Sequence, residues 1–184
     1  MGPDLLKAIT KIDGRLVWGL RFILYKFFLG ELKGIGYIGP STFSKGLRNL
    51  YVGPGLGLFP GWRIEILKGM VRIGKNLRAG QNLFINCGSE IRIGDNVTIS
   101  ANVFIGTSHH ITTYGDLRSF SEWEIEERPI VIGDNCFIGY GAAILPGSIL
   151  ETGCIIGANS VIKGHFKAGA IVAPAKTKTI KYRI

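Results

Sequence analysis

Six aliphatic residues stand exactly six apart in the second half of this chain: Ile132, Ile138, Ile144, Leu150, Ile156 and Ile162. Four residues after each of the first five comes a small side chain, Cys136, Ala142, Ser148, Cys154 or Ser160. Glycine follows the aliphatic residue at Ile132-Gly133, Ile138-Gly139 and Ile156-Gly157, and the same phrase occurs upstream as Ile73-Gly74, Ile93-Gly94 and Ile105-Gly106. A period of six fits neither an amphipathic helix nor an alternating strand of ordinary length. It supplies one short strand and one turn, with the aliphatic side chain inward, the small one at a tight corner, and glycine where the backbone needs unusual torsions. Three such units close a triangular coil of about 18 residues, and stacked coils bury an aliphatic column that no single repeat could bury alone. The register predicts Ile132 over Leu150 and Ile138 over Ile156, with Cys136 and Cys154 stacked as small inward residues.

The rest of the composition is consistent with this. Twenty-seven glycines in 184 residues accompany a 46% hydrophobic share, which excludes a disordered tail and a collagen-like chain. The length fits one domain. Three cysteines, Cys87, Cys136 and Cys154, form neither a metal-type CxxC nor an even disulfide set, and no cleavable leader is read, so a reducing, cytoplasmic setting is expected.

Residues 4–32 read as an amphipathic helix, with Leu5, Leu6, Ile9, Ile12, Leu16, Leu20, Ile23, Leu24, Phe27 and Phe28 mostly at three- and four-residue steps. Lys11, Arg15, Arg21 and Lys26 interrupt it too often for a membrane span. From Gly34 the text changes to short apolar pieces broken by Gly and Pro. The expected organisation is an N-terminal helix over 1–33, a repeat domain over 34–173 and a basic tail over 174–184.

The net charge of +9 lies at the ends. Residues 1–72 carry 11 Lys/Arg against 4 Asp/Glu, and from Lys163 onward there are six basic residues and no acidic one. Nucleic acid is disfavoured as a partner, because the aromatics are not interleaved with a basic stripe. The helix, with Trp18, Phe22, Tyr25, Phe27 and Phe28 among Lys and Arg, suits either an anionic membrane face or docking on the protein's own assembly.

The repeats resemble the left-handed parallel β-helix of the hexapeptide-repeat acyltransferases over about Ile35 to Ala173. Mainly β architecture, the left hand, a homotrimer with sites at subunit interfaces, and acetyl-CoA as co-substrate are what that resemblance implies. Between Ile105 and Ile132 the spacing is 27, no multiple of six, so a loop over 107–129 is expected to leave the coil. The stretch TSHHITTYGDLRSFSEWEIEERPIVIGDN resembles the extruded loop of the sugar O-acetyltransferases, including galactoside, maltose and colanic acid enzymes. Their catalytic histidine follows an inward aliphatic residue by five, which points to His110, or to His109 if the loop is shifted by one. A neutral imidazole can take the proton of a hydroxyl as it attacks a thioester.

By the same resemblance FINCGSEIRIGDN offers Asn86 as an acceptor contact and Glu90 as the group orienting the base, or as a plain turn acid. His109 and Trp123 are further candidates for the acceptor side. On the donor side the backbone of Tyr140 would face the thioester oxygen, Ala158 would touch pantetheine and Phe137, where many relatives carry Trp, would wall the pocket. Lys163 and Lys176 would meet the CoA phosphates, although the usual GNPAK phrase is here Val172-Ala173-Pro174-Ala175-Lys176. The expected activity is O-acetylation of a sugar hydroxyl in surface polysaccharide synthesis. N-acetylation of an amino sugar and a non-catalytic scaffold stand as alternatives. No metal is expected: a carbonic anhydrase site needs three convergent histidines, and the chain has three in all, two of them adjacent.

Overall fold

A computed structural model describes residues 14–111, 119 and 122–174. They form a parallel β-helix with three flat faces. Face A stacks Glu31–Leu32, Leu50–Val52, Met70–Ile73, Glu90–Ile93, Ile130–Ile132, Ile149–Leu150 and His165–Phe166. Face B runs in parallel order from Tyr37–Ile38 to Ile171–Val172, and face C from Ser41–Lys45 to Val161–Ile162.

The inward column follows the six-residue period. Ile132 pairs with Leu150 and Ile138 with Ile156, and all six periodic aliphatics are buried. Cys136 and Cys154 are buried free thiols, their sulfurs directed at backbone carbonyls of the next coil, Cys136 Sγ to Glu151 O at 3.2 Å and Cys154 Sγ to Lys167 O at 3.3 Å. Burial raises the Cys136 thiol above its ordinary pKa, and it pushes the third thiol, Cys87, up to about 11. Upstream the coils are longer. Ile73 pairs with Ile93, 20 residues on, because the corner between faces C and A takes extra residues around Gly69 and Ser89 there.

The other two corners turn through left-handed backbone. Asn76, Asn82, Asn96, Asn102, Asn135 and Asn159 all have φ between 55° and 59°, a conformation asparagine tolerates better than most residues. Their side chains stack into ladders, Asn76 Nδ2 donating to Asn96 Oδ1 at 2.9 Å and Asn96 Nδ2 to Asn135 Oδ1 at 3.2 Å. Gly61 takes one of these positions above Asn82; a Cβ there would lie 2.1 Å from Asn82 Oδ1.

Helix α1 (Arg15–Tyr25) lies against the first coil. It is shorter at its C-terminal end than the sequence-based end at residue 32, because Glu31 and Leu32 pair with Tyr51 and Val52 as the first face A strand. The β-helix therefore starts before Gly34. Residues 4–13 and the tail from 175, Lys176 included, lie outside the described residues. Trp18, Phe22 and Tyr25 form the inner stripe of α1: Phe22 is 2% exposed, Trp18 meets Tyr37 and Phe59, and Tyr25 meets Trp62. No helix among the described residues is long and apolar enough to cross a membrane.

Candidate active site

The chain leaves the prism after Phe104–Gly106 and returns at Ile130–Ile132, at the corner between faces C and A. Thr107 roots this excursion. It is fully buried, and its Oγ1 accepts the backbone N–H groups of Gly88 at 2.7 Å and Ser89 at 3.2 Å. Its own N–H donates to Asn86 O, and its carbonyl accepts from Arg128 N. Ser108–His110 then pairs antiparallel with Ile125–Glu127, Ser108 opposite Glu127 and His109 opposite Glu126. Gly88 lets this hairpin approach: a Cβ there would lie 2.5 Å from Glu127 Oε1 and 2.6 Å from Ser108 Oγ.

Both histidines sit on the hairpin, half-buried. His109 Nε2 lies 3.1 Å from Glu126 Oε2, and its Nδ1 is buried without a hydrogen-bond partner among the described residues. Glu126 also takes the Arg128 guanidinium at 2.6 Å. The hydrogen bond from Arg128 holds its carboxyl below the usual glutamate range, with help from His109 and Lys163. His110 meets the Trp123 ring edge-on at 6.3 Å between centroids.

Glu90 is not part of this contact set. It lies on face A, where both its oxygens bond Arg92, at 2.8 and 3.1 Å, and that pairing lowers its pKa. On the described part of the hairpin, Glu126 meets the imidazole of His109. Strand pairing explains the difference: Glu90 and Arg92 are two apart on one strand and project from the same side, while Glu126 is brought opposite His109 by the hairpin register.

Asn86 is adjacent to the root of the hairpin, paired with Gly106 on face C. Its amide donates to Glu65 Oε2 at 3.2 Å. Glu65, only 9% exposed, is also ion-paired with Arg63, whose guanidinium stands over the rings of Phe84 at 4.8 Å and Phe43 at 5.5 Å. Outward residues of face C thus form a cation and aromatic wall on the face from which the hairpin leaves. Glu65, Thr107 and Glu126 were missed in the sequence.

Of the donor-side candidates, Tyr140, Ala158 and Phe137 lie away from the hairpin, whereas Lys163 is near enough to help lower the Glu126 pKa. Tyr140 and Ala158 occupy successive turns of the corner between faces B and C, where Asn159 N donates to Tyr140 O at 2.7 Å and Asn102 Nδ2 to the Tyr140 hydroxyl at 2.6 Å. Phe137 is outward on face B and 43% exposed. Lys163 is exposed just after Val161–Ile162 of face C. His165 pairs with Glu151 at 2.7 Å, on face A. No group of three or more His, Cys, Asp or Glu able to hold a metal occurs among the described residues.

Comparison with known proteins places this architecture. The family described as bacterial transferase hexapeptide (six repeats) matches residues 129–164, and that of the hexapeptide repeat of succinyl-transferase matches 70–107. The chain therefore carries the repeats of the hexapeptide transferases on both sides of the excursion, and it resembles the hexapeptide-repeat acyltransferases. WbbJ of Escherichia coli (strain K12), named for lipopolysaccharide biosynthesis O-acetyl transfer, is 35% identical over 57 residues, 31% of this chain and 29% of that protein. The match thus spans less than a third of the curated relative. Two solved structures share the fold. AntD, an N-acyltransferase from Bacillus cereus in complex with dTDP and 3-hydroxybutyryl-CoA, superposes with a TM-score of 0.66 at 16% identity, over 89% of this chain and 88% of that one. A maltose O-acetyltransferase from Clostridium difficile 630 does so with 0.56 at 22% identity, over 93% and 80%.

Proposed function

We propose that the chain is an acyl-CoA-dependent acetyltransferase that moves an acetyl group from acetyl-CoA to a sugar hydroxyl, in surface polysaccharide synthesis. The observation that carries this reading is the hairpin itself, which holds two histidines at one corner of the prism and is rooted at Thr107, whose N–H donates to the carbonyl of Asn86. His110 acts as general base. It takes the proton of the acceptor hydroxyl as that oxygen attacks the thioester carbon; the tetrahedral oxyanion collapses, the C–S bond breaks and the CoA thiolate leaves, to be protonated. No residue becomes acylated.

Asn86 and Trp123 contact the acceptor in this reading. The backbone of Tyr140 stabilises the oxyanion, Ala158 and Phe137 line the pantetheine path, and Lys163 and Lys176 meet the phosphates. The histidine hairpin leaves face C at the corner with face A, and Tyr140 stands at the other end of face C, at the corner with face B. That separation supports a site shared between copies in a homotrimer, the histidines from one and the Tyr140 corner from its neighbour. A peripheral position at the inner membrane face, through residues 4–32, belongs to the same reading.

One observation favours a second assignment of the base. Glu126 holds His109 through Nε2 and leaves Nδ1 directed elsewhere, the arrangement by which a carboxylate fixes an imidazole for proton transfer. Thiol release from acetyl-CoA, measured with a panel of sugar acceptors, separates the two. His110→Ala is expected to lower kcat by about 100-fold or more, with His109→Ala milder. If His109→Ala and Glu126→Gln carry the large loss instead, the base is His109; near wild-type transfer by all three variants overturns the mechanism.

A further inference from the structure

Helix α1 is apolar on two sides. Its inner stripe packs on the first coil, while the outer one, Leu16, Leu20, Ile23 and Leu24, is 87%, 63%, 55% and 60% exposed, and Phe27 and Phe28 in the turn after it are 71% and 61% exposed. A surface helix ordinarily shows one apolar stripe, and a clustered second one marks an interaction face. The charge around it has one sign. Between residues 14 and 48 there are six Lys/Arg against a single Glu, and Glu31 is ion-paired with Lys33.

A groove of about 790 Å³ joins the two features. Leu24, Tyr25 and Phe28 of the helix side form its apolar wall; Arg21, Lys45 and Arg48 line it together with the hydroxyls of Ser41 and Ser44, and it contains no acidic residue. Arg21 already donates one N–H to Ile38 O at 3.0 Å, which fixes the guanidinium at the edge of the cavity. Cations and hydroxyls on one side, with an apolar wall running out to an exposed helix face, match an amphiphile that carries phosphate next to hydrocarbon.

We infer that the groove between α1 and the first coil is a headgroup site for an anionic phospholipid, with the outer stripe of α1 inserted in the membrane interface beside it. This deepens the peripheral position proposed above and adds a binding site to it. A soluble protein partner would satisfy the apolar stripe but gives no use to an acid-free basic groove opening beside it. An anionic lipid surface uses both.

Flotation of the full chain with vesicles of phosphatidylcholine, alone or with 30% phosphatidylglycerol as a chosen test composition (~30%, enough to set a negative surface potential), tests the inference. Binding is expected only to the anionic vesicles. Lys45→Ala and Arg48→Ala are each expected to lower partitioning about fivefold, and Leu24→Ser with Phe28→Ser to abolish it, with circular dichroism and thiol release on a soluble acceptor unchanged. Equal binding to neutral vesicles, or anionic binding indifferent to Lys45 and Arg48, overturns the headgroup site. No vesicle binding, with a fall in the mass of the assembly in Leu24→Ser/Phe28→Ser, overturns it in favour of a second copy on the helix. Acetyl transfer on the soluble acceptor is read separately, so the loss of either activity leaves the other interpretable.

Discussion

Six asparagines do at the corners what glycine does elsewhere in the coil, and four of them, Asn76, Asn82, Asn96 and Asn102, also donate a side-chain bond to the next coil. Asn96, at φ 55°, gives and receives an amide hydrogen bond along its ladder. Alanine there would lose both bonds and keep the left-handed strain, whereas glycine would lose only the bonds. Asn96→Ala is therefore expected to cost about 3 to 4 kcal/mol in urea unfolding, from about 1 kcal/mol for each of two bonds and about 1 to 2 for the torsion. Asn96→Gly should cost distinctly less. At this scale the sequence was read through glycine, and the Asn ladder was not foreseen: a lone Asn between repeats says nothing of its φ until the coils are stacked.

At the scale of elements, the last coils are joined by a side-chain clasp. Glu151 accepts the backbone N–H of Ala168 at 2.9 Å, His165 Nε2 at 2.7 Å and Lys167 Nζ at 3.3 Å. The Ala168 bond is the main cause of its lowered pKa, the histidine contact next. A carboxyl depressed on folding contributes stability above its unfolded pKa, and loses it as pH falls through the lower, folded value. Thermal unfolding of the parent chain and Glu151→Gln should differ at pH 7, and the difference should shrink below about pH 4.3, the ordinary glutamate value.

The extruded hairpin is the element where sequence and structure part most clearly. Its existence was legible from the broken period between Ile105 and Ile132, and so were its two histidines. The partner of His109 was not. Four glutamates crowd the stretch from Glu122 to Glu127, and which of them faces an imidazole depends on the hairpin register, a property of both strands and the turn between them. Resemblance alone gives Glu90 the orienting role; in the strand Glu90–Ile93 both its oxygens bond Arg92, two residues on and on the same side of the strand.

Across the whole molecule the six-residue period carried nearly all of the fold. The stacking of Ile132 on Leu150 and of Ile138 on Ile156 followed from spacing alone, because the periodic aliphatic residues keep one register from coil to coil. Ile138 is bounded on one side by Ile99 and on the other by Ile156, and a vacancy there has little room to relax. Ile138→Ala, at a site with no exposure, is expected to cost about 2 to 5 kcal/mol by urea unfolding. What the period left unread lies where it stops: the longer upstream coils, and the helix, whose end at Tyr25 is set by the first strand pairing rather than by its own apolar pattern.

A stack of this kind has no internal reason to stop growing. Each coil offers the next a set of parallel strand edges, and a bare terminal coil would accept another molecule as readily as its own chain, which is the geometry of a fibril. Helix α1 closes one of those edges. With Phe22 sealed over Gly36 and Arg21 tied to the carbonyl of Ile38, the first coil is occupied by a segment that cannot propagate the pattern. The same short helix thereby acts as a polymerisation stop at that end of the stack.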